Sequence, residues 1–102
     1  MEIYTKEVQT KNGKVDGAQI KWPGFNILLF AGSKGFLGCG VFDLDALDKF
    51  GVACAIVEST PQNPIGTLER FTTRKIAKAN AKAMTLGINI GMDSVEALAI
   101  LA

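Results

Sequence analysis

Cys39 is the one side chain of this sequence with nucleophilic potential, and it sits between two glycines in Lys34-Gly35-Phe36-Leu37-Gly38-Cys39-Gly40. An unperturbed thiol with a pKa of about 8.5 is only roughly 3% thiolate at pH 7. Lowering that pKa by about 1.5 units takes on the order of 2 kcal/mol of preferential thiolate stabilisation. Lys34, Arg70, Arg74 and nearby backbone amides are the groups that could supply it, because the chain contains no histidine. That absence removes Cys-His and Ser-His dyads, histidine-ligated zinc and the usual general base near neutral pH from the chain's own repertoire. The plainer account of Cys39 is a small buried strand residue, in keeping with the burial preference of free cysteine. Cys54 could lie on a neighbouring strand and form a redox pair with it. Two cysteines are too few for a disulfide framework, however, and suit a reducing compartment.

Ligand binding is the second candidate chemistry. Gly35, Gly38, Cys39 and Gly40 could leave a surface bare enough for a ligand to approach, with Arg74 and the basic stretch from Arg70 to Lys82 beside it. The G-x-x-G-x-x-G-x-G spacing of Gly32 to Gly40 matches neither the phosphate-binding loop nor the dinucleotide fingerprint. A turn followed by a bulge explains these glycines from backbone geometry. Asp43, Asp45 and Asp48 form the one acidic cluster. At a helix start they complement the dipole, and they lack the alternating oxygen ligands of a Mg²⁺ or Ca²⁺ loop, so neither metal nor cofactor is expected. Arg70, Arg74, Lys75, Lys78 and Lys82 read as a solvated basic face, with an anion or acidic-partner site as the sharper alternative.

The elements that must position these groups follow from apolar patterning. Glu2 to Thr10 and Val15 to Trp22 read as strands joined at Asn12-Gly13, where residues of positive φ would make a tight hairpin. In the second of them Ala18, Ile20 and Trp22 share one face and Gly17, Gln19 and Lys21 the other. Pro23-Gly24 breaks that strand. Asn26 to Ala31 and Phe36 to Phe42 should pair antiparallel across Gly32-Ser33-Lys34-Gly35, with Gly38 and Gly40 inside the strand.

Asp43 caps a helix over Leu44 to Phe50, which presents Leu44, Leu47 and Phe50 to the sheet and ends at Gly51. Val52 to Glu58 returns as a strand, with its placement left open because the helical connection is short for a parallel crossover. Residues 67–86 could form one helix or two. The poor 3.6 phase favours a short helix at Thr67 to Phe71, an extended or irregular Arg74 to Ala79, and a second helix capped by Asn80 and stopped at Gly87. Asp93 with Glu96 starts a last helix, Ser94 to Leu101, with no stop signal and therefore prone to fray.

These elements predict a single α+β domain spanning residues 1–102. Its architecture is a two-layer sandwich of a largely antiparallel sheet of about five strands with two to four short helices. A hydrophobic fraction of 48% against 21% charge excludes disorder and demands a core, part of which a second subunit could cover. The balance of 11 basic and 10 acidic residues gives no electrostatic footprint for nucleic acid. No run approaches the roughly 18–20 apolar residues of a membrane span, and Met1 to Thr10 has no signal-peptide core, so a cytoplasmic protein is expected.

The Lys34 to Gly40 run followed by Phe42-Asp43, together with the tail Leu86-Gly87-Ile88-Asn89-Ile90-Gly91-Met92-Asp93-Ser94-Val95-Glu96-Ala97-Leu98, resembles the YunC-like family. The resemblance implies a small, soluble α+β domain of unknown function from bacteria or archaea, and it carries no functional residue over. The leading functional expectation is a non-catalytic homo-oligomeric domain, with the flat sheet or the apolar terminal helix (Val95, Leu98, Leu101) buried between subunits. A small-molecule or anion-binding protein and a thiol-dependent enzyme using Cys39 are the alternatives.

Overall fold

The computed structural model describes residues 1–102. Six strands form one sheet whose order in space is their order in the chain. They are β1 (Glu2–Thr10), β2 (Gly13–Trp22), β3 (Phe25–Gly32), β4 (Gly35–Gly38), β5 (Ala53–Val57) and β6 (Ile76–Ala79), with helices α1 (Leu44–Lys49), α2 (Leu68–Phe71), α3 (Ala81–Thr85) and α4 (Ser94–Leu101). All neighbours pair antiparallel except β4 and β5, which are parallel. The mixed α+β class therefore stands, with one strand more than the sequence suggested. The connection carrying α1 does make the parallel crossover. No helix is long and apolar enough to cross a membrane.

The helix caps explain why such short helices form. Asp43, Thr67 and Asn80 each take an extended backbone, and each side chain accepts a hydrogen bond from the third residue onward. Residues 67–86 are accordingly two helices with β6 between them. Asp93 is the N-cap of α4 by position only, since its side chain makes no cap hydrogen bond. The end of α4 is fastened rather than frayed. Lys34 N–H donates to Leu101 O at 2.9 Å and the Ser33 hydroxyl to Ala102 O at 2.6 Å, so the β3–β4 turn binds the last carbonyls of the chain.

Register divides the sheet into two faces. One carries Val15, Leu28, Phe30, Leu37, Ala55, Val57 and Ile76, all buried against Leu68 and Phe71 of α2 and Leu98 and Leu101 of α4. Phe30 meets Phe71 edge-on with ring centroids 5.5 Å apart. Burying a side chain of this size contributes roughly 1.5–3 kcal/mol. Here the terminal-helix version of the oligomer expectation is corrected, because Leu98 and Leu101 are consumed by the domain's own core and only Val95 remains exposed.

The other face carries Ile3, Ala18, Ile20, Trp22, Ile27, Leu29, Ala31, Phe36, Cys54 and Ile56, set side by side by the strand register. Only the β4–β5 end of it is covered, by Phe42 and α1. The Phe42 ring packs over Gly38 and stacks edge-on against Phe36 with centroids 5.0 Å apart. Phe50, expected to pack on the sheet, is instead 82% exposed.

Candidate functional site

The strand predicted over Phe36 to Phe42 stops at Gly38, and Cys39 and Gly40 lie in the turn that leads to α1. The inferred bulge is absent, and each glycine has its own reason or none. A side chain at Gly38 would collide with the Phe42 ring, whereas one at Gly40 would meet nothing within 4 Å. Gly35 is pressed against Ala53 at the far end of β4, where no ligand can approach that side of it. The glycine run is thus not one bare surface.

Cys39 is 8% exposed, and its N–H donates to Leu28 O at 3.1 Å. Its side chain joins the helix-covered core while bordering a cleft of about 460 Å³. The cleft is walled by Phe25, Leu28, Val41 and the Ser59 to Gly66 loop. None of its lining residues is charged. Lys34 is at the opposite end of β4, and Arg70 and Arg74 face a different depression, so the lining offers neither a base nor a cation to hold a thiolate. The chemistry available to this cleft is apolar packing with a few hydroxyl and amide contacts.

Cys54 is a free thiol too, and β5 alternation turns it to the opposite sheet face from Cys39. That placement corrects the redox-pair reading. Burial, and secondarily the charge of a Cys39 thiolate, pushes the Cys54 pKa up to about 12. It remains a neutral, inert core residue through the physiological range.

Arg74 is only 9% exposed, and its role is positional. Nη1 donates to Glu58 O at 3.2 Å and Asn63 O at 2.8 Å, and Nη2 donates to Asn63 Oδ1 at 3.1 Å and Pro64 O at 2.9 Å. The guanidinium thereby shapes the loop after β5, one wall of the Cys39 cleft, without reaching Gly35, Gly38 or Gly40. Asn80 is a comparable fastener that sequence reasoning read only as a cap. Its Oδ1 accepts from Cys54 N and Ala83 N, while Nδ2 donates to Val52 O at 2.8 Å and Leu44 O at 3.4 Å, joining α1, β5 and α3.

The three aspartates do not converge on a metal. Asp43 caps Ala46 N, and both oxygens of Asp48 accept from Ala81 N and Lys82 N at the start of α3. No group of three or more Cys, Asp or Glu side chains is placed to hold an ion.

A family model described as a domain of unknown function, DUF1805, matches residues 38–101. The chain belongs to that family. The matched part of this DUF1805 protein includes Gly38, Cys39, Gly40 and Arg74, and leaves out Gly35 and the first three strands. The whole fold recurs in the crystal structure of a protein of unknown function, TA1206, from Thermoplasma acidophilum. That likeness has a TM-score of 0.85 at 20% identity and covers 99% of this chain and 94% of the other. It shows that the N-terminal strands and the DUF1805 portion form one shared architecture. No curated protein matches the sequence.

Proposed function

We propose that this domain is a non-catalytic, cytoplasmic assembly unit that forms a homo-oligomer through the uncovered face of its sheet. The carrying observation is the direction of the β2 alternation. Ala18, Ile20 and Trp22 face away from the helices, whereas Gly17 and Gln19 face toward them. Gly17 lies beneath the Phe30 ring, and Gln19 Nε2 donates to Gly66 O at 3.0 Å. An amphipathic strand normally turns its apolar side inward. Here the apolar side is left half-buried within one chain, which suits burial by a second.

Neighbouring strands extend this surface. Ile3, Ile20 and Ile27 align across β1, β2 and β3, and Trp22 meets Phe25 edge-on with centroids 5.9 Å apart. Ile3 is 64% exposed and Phe25 51%. A contiguous apolar patch of this kind on a soluble domain marks an interaction surface, and a two-fold interface needs one self-complementary patch of about 800 Å² per partner. The proposal keeps the YunC-like assignment, supported by the family match across Gly38-Cys39-Gly40 and the Leu86 to Leu98 tail.

Ile20→Asp tests the reading. Sedimentation of the native protein should give an oligomer at micromolar concentration, and of the variant a folded monomer with unchanged circular dichroism. A native monomer rejects the proposal, as does a variant that folds and still assembles.

A further inference from the structure

On the other side of the Arg74-clamped loop from Cys39 lies a depression of about 550 Å³ lined by Glu58, Ser59, Thr60, Asn63, Arg70, Thr73 and Arg74, without a single apolar side chain. Its two arginines outnumber its one carboxylate, that of Glu58, which leaves a net positive charge. The molecule's two ion pairs are Lys6–Glu69 and Lys14–Glu7, so neither arginine has a carboxylate within 4.0 Å. Arg74 is a buried cation held entirely by carbonyl and amide oxygens. Those dipoles partner its terminal Nη1 and Nη2 donors, but they do not neutralise its charge.

Arg70 is exposed, and its guanidinium makes no hydrogen bond to any protein group. Donors from the loop complete the set. The Thr60 hydroxyl accepts from Asn63 N at 3.0 Å and keeps its own proton to give, and the Ser59 hydroxyl has no protein partner.

The geometry points to a binding site for a phosphorylated, hydroxyl-rich small molecule such as a sugar phosphate. Arg70 takes the phosphate through its planar fork of donors, the Ser59 and Thr60 hydroxyls add neutral donors, and the fixed charge of Arg74 raises the local potential. The polar walls and the Asn63 amide suit sugar hydroxyls, and no apolar or aromatic side chain lines the depression to hold a base. Arg74 is the positioning residue of this site, because its four hydrogen bonds set the loop that carries Ser59, Thr60 and Asn63. The ligand site inferred from sequence around Gly35, Gly38 and Gly40 is thereby relocated to the opposite side of the loop.

The test is a titration of the full chain, at fixed ionic strength in chloride, with fructose 6-phosphate, inorganic phosphate and fructose, followed by amide chemical shifts. The expected result is saturable shifts at Ser59, Thr60, Asn63 and Thr73, with fructose 6-phosphate binding at least about tenfold more tightly than inorganic phosphate. Arg70→Gln should weaken that binding at least about tenfold, and Arg70→Lys should restore part of it. Arg70 is exposed, so both variants are expected to keep the native spectrum outside the site. Absent saturation, indifference to Arg70→Gln, or equal binding of phosphate and sugar phosphate would overturn the inference.

Discussion

The two faces of this sheet are built from similar residues and meet different fates. On one, Phe30, Leu37 and Val15 vanish beneath α2 and α4; on the other, Ile20, Ile27 and Leu29 remain half-exposed although they are no less apolar. The second face is itself divided. Phe42 and α1 close its β4–β5 end over Gly38, Cys54 and Ile56, while the β1–β3 end has no helix over it. Hydrophobicity alone therefore does not decide what becomes core, and the layer of helices settles it.

Substitution should separate the faces most sharply at adjacent β3 positions. Phe30→Ala removes a fully buried ring and its contact with Phe71, and should cost about 3–5 kcal/mol in denaturant unfolding at any protein concentration. Leu29→Ala should cost less, and its cost should grow with protein concentration if the proposed assembly buries this face. Equal, concentration-independent losses at the two positions would erase the distinction between the faces.

Arg74→Met probes the helix side. It strands Glu58 O, Asn63 O and Pro64 O and should destabilise by about 2–4 kcal/mol. Paired glycine variants sharpen the boundary of the closed end. Gly38→Val drives a side chain into the Phe42 ring and should cost about 1–3 kcal/mol, whereas Gly40→Val, in open space, should stay within about 0.5 kcal/mol. In sequence these two glycines look alike, and chemical denaturation should distinguish them.

Most of the architecture was legible because local chemistry and tertiary structure agree. Asp43, Thr67 and Asn80 announce helix starts, and Gly51 and Gly87, at φ +72 and +102, close the turns after α1 and α3. Local pattern is silent where the deciding contact is distant in sequence. Asn12 keeps a negative φ in the first hairpin, and its side chain donates to Ala99 O at 2.8 Å, a partner no local pattern reveals. The β2 alternation was visible, but not which side the helices would occupy. Arg74 stands out by residue type as a ligand-binding candidate, yet its role as a loop clamp depends on carbonyls of residues 58–64 that carry no side-chain signal.

The two thiols give a smaller and pH-dependent contrast. Cys54, under the closed end of the second face, has its pKa raised from 9.0 to about 12. The unfolded chain loses this proton first, so the native state binds more protons between those values. Stability is intact below about pH 9 and falls as pH rises toward 12, at roughly 1 kcal/mol per pH unit from this group. Cys54→Ala should flatten that alkaline slope in thermal unfolding. With a thiol reagent at pH 8, Cys39 at the cleft should react before Cys54, and simultaneous modification would contradict the burial assigned to Cys54.

The most direct test of the uncovered face is the mass in solution by light scattering. A particle of two or more 10.9 kDa chains at micromolar concentration, reduced to one chain by Ile20→Asp, is the result predicted here. A native particle of 10.9 kDa would contradict it.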